Sequence, residues 1–169
     1  MATVTQEYAA SSNLTVTNLH SLASSQTWIG GWESALVDNT TLKYLDYLVS
    51  CKFTMAAANN QAGEIRVYIA AMLDDSTWPD VLDGTESTEA FTDTEEAAAA
   101  LRLGAVITVD TTASAVLYAQ PFSVAALFGG VCPAKFVVFI TGNGTTTTTA
   151  QFAASGNQVT IKGAYLAIA

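Results

Sequence analysis

Charge is scarce in this chain, and histidine scarcer still. Asp, Glu, Lys and Arg make up only 12% of 169 residues, and His20 is the single histidine. Six basic residues against fifteen acidic ones leave a net charge of −9. That is the wrong sign for a phosphate backbone, which argues against direct nucleic-acid binding. Cys51 and Cys132 are the only cysteines, and no metal-ligand spacing surrounds them, so they read as two buried free thiols. No segment reaches the ~20 apolar residues of a membrane span. The apolar run Phe136 to Ile140 is strand-sized. The opening MATVTQEYAASS lacks the basic and apolar regions of a secretory signal.

Catalytic chemistry is equally thin. His20 stands in a polar segment where no acid or nucleophile pairs with it in sequence, which is how a surface histidine reads. There is no G-x-S-x-G and no H-E-x-x-H. Glu33, Glu64, Glu86, Glu89, Glu95 and Glu96 fall mostly in polar loops or on solvent faces, where a facing carboxylate pair is not expected. The reading is therefore not an enzyme, with no cofactor and no metal. Asp74, Asp75, Asp80 and Asp83 crowd one loop, DDSTWPDVLDG, but miss the calcium-loop spacing and read as solvated turn acids. The glycine-rich tip GNGTTTTT lacks the Lys-Ser/Thr element of a phosphate loop.

What the chain does have is alternation. In Leu45–Met55, the residues Tyr47, Val49, Cys51, Phe53 and Met55 share one face, a period of two that means a half-buried strand. Ile65, Val67, Ile69, Ala71 and Leu73 repeat the device. Further strands are read at Trp32–Val37, Leu101–Val109, Val116–Pro121, Phe136–Thr141 and Gln158–Ala169. Turns or breaks are read at Asp38-Asn39-Thr40, Ala56–Gly63 and Asp110-Thr111-Thr112. Thr92-Asp93-Thr94-Glu95 has capping-box form ahead of a helical turn at 95–100. Ser123–Phe128, closed by Gly129-Gly130, reads as a second turn of helix. Thr85–Thr94 is polar, with Phe91 as its one anchor.

The fold expectation is an all-β, jelly-roll-like antiparallel sandwich of about eight strands with one or two short helical turns. Two segments divide the chain: an N-terminal arm, 1–27, and the sandwich, 28–169. The arm has scattered apolar residues and too little of them for a core of its own. It is expected to lie on a neighbour or to form an edge strand.

Three stretches carry a family resemblance. Trp32–Leu48, WESALVDNTTLKYLDYL, Leu101–Asp110, LRLGAVITVD, and Pro121–Phe136, PFSVAALFGGVCPAKF, resemble blocks of small virion proteins of tailed bacteriophages, spanning about 28 to 141. The third departs by Ala134, inserted between Pro133 and Lys135. The resemblance implies a jelly-roll capsid decoration, or cement, protein on the virion surface, assembled in the host cytoplasm. Its implied partner is the major capsid protein. Copies of itself, as a trimer or another small symmetric oligomer, are expected from the composition, 50% hydrophobic with 12% charge. From the apolar-run lengths and the net charge, no membrane and no nucleic-acid partner is expected. Leu14, Leu19, Trp28, Trp32 and Trp78 are the candidate contact residues, since aromatic anchors dominate interfaces. The alternative is a tail or fibre module that binds glycans, stacking them on Trp28, Trp32, Trp78 and Tyr68.

Overall fold

The computed structural model describes residues 3–56, 62–110, 114–144 and 150–168. The elements run β1 Val4–Tyr8, β2 Ser12–Asn13, β3 Gly30–Glu33, β4 Val37–Asp38, β5 Asp46–Thr54, β6 Gly63–Ala71, β7 Ser87–Ala90 and α1 Thr94–Ala100. There follow β8 Arg102–Val109, β9 Val116–Ser123, α2 Val124–Leu127, β10 Lys135–Gly142 and β11 Gln158–Ile168. Parts of the expected loops, 57–61 and 145–149, the break at Thr111-Thr112 and the closing residue Ala169 lie outside the described residues.

Two antiparallel sheets face each other. One runs β1-β11-β5-β9, with β2 also on β11; the other runs β7-β3-β10-β6-β8, with β4 also on β10. The pairing is nested: β1 with β11, β3 with β10, β5 with β9, β6 with β8. First-with-last nesting is the wrapping of a jelly roll, and the fold is an all-β sandwich as the alternation predicts. β5 behaves as its sequence requires: Tyr47, Val49, Cys51, Phe53 and Met55 are all buried in the core between the sheets.

The second sheet is covered on both faces. Phe136, Val138 and Ile140 of β10 point into the inter-sheet core. Val137 and Phe139 point the other way, into a smaller cluster with Leu82, Phe91, Ala97 and Leu101 under α1. Phe91 meets Phe139 edge-on at 5.4 Å between ring centroids. The cap of α1 is Asp93, whose carboxylate accepts from the Glu96 N–H at 2.8 Å, one residue later than the capping-box pattern places it. Ser123 caps α2 by accepting from the Ala126 N–H. Gly130, at φ +93°, closes α2 by donating its N–H to the Ala125 carbonyl.

Several expectations are corrected. Of the two expectations for the N-terminal segment, the edge strand holds, since β1 lies at the edge of its sheet and β2 also pairs with β11; the boundary at 27/28 does not hold, because Leu19 and Leu22 lie in the main core. Long-range backbone pairing supplies what the sparse apolar content of this segment could not supply locally. The Trp32–Val37 strand is split, because the Val138 N–H donates to the Ser34 hydroxyl at 2.9 Å, interrupting the ladder between β3 and β4. Leu73 leaves the buried face, because β6 ends at Ala71; the side chain is 71% exposed. In β8 the alternation breaks at Gly104, an extra residue opposite the Val67–Tyr68 step, and Leu103 turns outward. Glu33, grouped with solvent-facing acids, is fully buried.

Candidate assembly surface

β11 outruns its neighbour. β5 pairs with it from Gln158 to Ala164, whereas β1 pairs with it from Ala164 to Ile168. Beyond Ala164 the sheet is therefore a two-stranded ribbon. Directly opposed residues of antiparallel strands share a face, so Val4 and Ile168, Gln6 and Leu166, and Tyr8 and Ala164 lie on one side. Thr5, Glu7, Tyr165 and Ala167 lie on the other. All five residues of β1 are exposed. Val4 is 59% exposed, Leu166 56% and Ile168 77%.

The base of the ribbon is pinned. Tyr44 packs against Tyr165 and Tyr47, at 5.8 and 5.3 Å between ring centroids. Gly163 permits this, since a Cβ there would sit 2.1 Å from the Tyr44 ring. On this side Leu42 and Leu45, both exposed, join Ala9, Lys43, Tyr44, Tyr165 and Leu166 around a hollow of about 430 Å³. The Tyr165 hydroxyl donates to Glu7 at 3.3 Å, and Lys162 lies 5.4 Å from the Tyr8 ring centroid. Leu166 borders both the ribbon and the hollow, so exposed apolar side chains gather at this end of the first sheet, the kind of surface that marks a contact.

The five residues expected from sequence sit elsewhere. Leu19 and Trp32 are completely buried, and a side chain with no exposed surface has none to offer a partner. Trp32 is held by its indole N–H, which donates to Glu86 at 2.7 Å. Leu14 is half-buried at the core margin, its N–H donating to the Val159 carbonyl. Trp78 is half-buried over Gly84, beside the smaller cluster. Trp28 is half-buried at a left-handed φ of +66°, with the Arg66 guanidinium 3.7 Å from its ring centroid. Arg66 is itself paired to Glu64 at 3.0 Å. Trp28, Arg66 and Tyr68 line a small cleft together with α1. The structure thus joins two of the four stacking candidates and separates Trp32 and Trp78 from them.

Alternation alone does not reveal the ribbon in the closing strand. Its outward set, Thr160, Lys162, Ala164, Leu166 and Ile168, changes from polar to apolar halfway along. That change is the signal that the outer face stops meeting water alone.

The titratable groups fall into two kinds. Glu33 is buried, and burial pushes its carboxyl up to about 7, although it accepts from the Gly84 N–H at 2.7 Å and the Asp83 N–H at 3.2 Å. Asp74 is exposed and accepts N–H bonds from Ser76 and Thr77, both at 2.7 Å, which hold it down to about 2. Asp83 likewise accepts from the Thr85 N–H within its own turn, and Asp80 accepts from the Thr92 N–H ahead of α1, so these carboxylates of the acidic loop are engaged by backbone N–H groups. Burial raises the Cys51 thiol to about 12 and the Cys132 thiol to about 11; neither is poised as a nucleophile. His20 Nδ1 lies 3.0 Å from Asn157 Nδ2. Among the described residues no group of three His, Cys, Asp or Glu is placed to hold a metal ion, and no helix is long and apolar enough to cross a membrane. No protein-family model, curated protein or solved structure matches the chain.

Proposed function

We propose that this chain is a structural subunit of a larger particle, and in its finer form a decoration protein on a bacteriophage capsid. One observation carries the reading: the apolar end of the first sheet, with Val4, Leu166 and Ile168 more than half exposed on a two-stranded ribbon that runs past the end of β5. Apolar surface left uncovered by the fold gains free energy only when something else covers it, at roughly 25 cal/mol per Å². The 12% charge content supports the same reading, since few groups keep the surface solvated. The phage setting rests on the resemblance of the three sequence blocks. The test is to band virus particles on a density gradient, identify their proteins by mass spectrometry, and image the shells by cryo-electron microscopy. The reading predicts the chain in the particle band, as a sandwich at fixed positions on the shell. Recovery from the soluble fraction alone would overturn it.

A second reading, glycan binding, draws support from the cleft of Trp28, Arg66 and Tyr68. Trp28→Ala would then abolish retention on a glycan array without changing the sandwich's circular dichroism. An array that retains neither protein counts against it.

A further inference from the structure

We infer that β1 is the contact strand between two copies of this chain, paired antiparallel about a two-fold axis through Gln6. The inference takes its contact surface from the assembly reading above but needs no capsid, so the purified protein tests it alone.

The backbone groups of β1 alternate between β11 and the open side. The Ala9 N–H donates to the Gly163 carbonyl at 2.9 Å. Along a strand, N–H and C=O groups alternate sides. Thr5 and Glu7, in phase with Ala9, therefore address β11. Val4, Gln6 and Tyr8 address the open side, and among the described residues β1 is the last strand of its sheet. An unpaired row of donors and acceptors on an exposed edge is a template for another strand.

The side chains of this edge are compatible with a copy of themselves. Glu7 is the one charge in VTQEY. With the axis at Gln6, Val4 faces Tyr8 of the second copy, Gln6 faces Gln6, and Thr5 faces Glu7. The outward-addressing residues 4, 6 and 8 then pair only with one another, so every open N–H and C=O of the strand meets a partner. No carboxylate opposes a carboxylate. On the outer face Val4 gains the Tyr8 ring beside it, a β-branched and aromatic pair that stabilises antiparallel neighbours. The edge also lacks the usual devices that block such pairing: no proline, no lysine and no bulge lies within β1. The two sheets become one continuous sheet through the ribbon, a closed isologous arrangement.

A five-residue edge is small for an interface, so dissociation constants on the order of 10–100 µM are expected. Each copy carries −9, so added salt should tighten the pair by screening. Sedimentation equilibrium of the full chain, in low and high salt, is the experiment. The expected result is a monomer–dimer equilibrium that shifts to dimer as salt rises. Gln6→Pro removes an outward N–H and spares the bonds to β11; it should weaken the dimer at least about tenfold. Gln6→Lys, which sets two like charges face to face, covers the case in which the proline variant misfolds, and should weaken it too. Thr5→Lys faces Glu7 of the other copy and should tighten the dimer roughly threefold. A wild type that stays monomeric across this range overturns the inference, as does a dimer indifferent to Gln6→Lys and Thr5→Lys. A monomer still found in the particle band leaves the assembly reading standing; a dimer absent from particles removes that reading and keeps this one.

Discussion

β10 and the β1–β11 ribbon are both antiparallel strands of one molecule, yet they stand at opposite extremes of burial. Seven of the eight residues of β10 are buried, because sheets, α1 and the 74–92 segment cover it on both sides. All five residues of β1 are exposed, and so are Leu166 and Ile168 beside them. Both regions carry large apolar side chains; what differs is whether the chain itself supplies the cover. In β10 hydrophobicity is spent on folding, and in the ribbon it remains available to another surface.

Breaking the comparison at the join between the two regions should have the largest effect. A truncation that starts at Ser25 removes β1, β2, Leu19 and Leu22, and with them part of the main core. Loss of cooperative thermal unfolding, or a fall in Tm well beyond 10 °C, is expected, since about 1 kcal/mol moves a domain of this size by roughly 2–4 °C. A truncated protein that melts like the full chain would mean that the segment only rests on the sandwich.

Within β10, Phe139→Ala empties a site under α1 that Phe91 and Leu101 line. The expected cost is about 3–5 kcal/mol by denaturant titration. A cost under about 1 kcal/mol would show that α1 collapses onto the gap, so that the smaller cluster is not an independent source of stability.

Glu33 is the polar member of the buried region, and it gives the comparison a pH dependence. Its folded-state pKa, about 7, lies above the ordinary 4.5. As pH rises between those values the unfolded chain releases the proton while the folded chain keeps it, so this group's contribution to stability falls. Below the window both states are protonated, and above it the loss is complete. Glu33→Gln should therefore gain on the wild type as pH rises from about 4.5 to about 7, measured by melting at each pH. Asp74 works in the opposite sense and elsewhere: its depressed value, about 2 against 3.8, stabilises above the ordinary value and is lost as pH falls toward 2. A constant difference between Glu33→Gln and the wild type across the upper window would contradict the burial of this carboxyl.

The smallest effect on stability is expected in the ribbon. Leu166→Ser with Ile168→Ser should change the unfolding free energy by no more than about 1 kcal/mol, since a single exposed substitution usually stays within about 0.5 kcal/mol. A loss like that of Phe139→Ala would place the ribbon in the fold's own core.

Legibility in the sequence follows the same division. β5 was plain because one face is buried and the other is not, which writes a period of two into its residues. β10 was plain as a continuous apolar run, the mark of a strand covered on both sides. Leu103 misled, because the alternation around it is unbroken in sequence and the bulge at Gly104 exists only in the pairing with β6. Leu19 and Leu22 were unreadable for a related reason: their partners lie far along the chain, where Gln151 and Phe152 both donate to the Leu22 carbonyl. Glu33 follows Trp32 in a strand buried on both faces, so alternation gave it the wrong environment. The ribbon's exposure depends on where β5 begins relative to β11, a register that single-strand patterns do not encode.

The central claim is that β1 is an edge kept open for another strand while β10 is closed by its own chain. Amide hydrogen exchange on the full-length protein, run dilute and then well above the expected dissociation constant, reads both strands at once. The account predicts slow exchange in β10 at both concentrations, and protection of the amides of Gln6 and Tyr8 that appears only at the higher one. Unchanged exchange in β1 at both concentrations would contradict it.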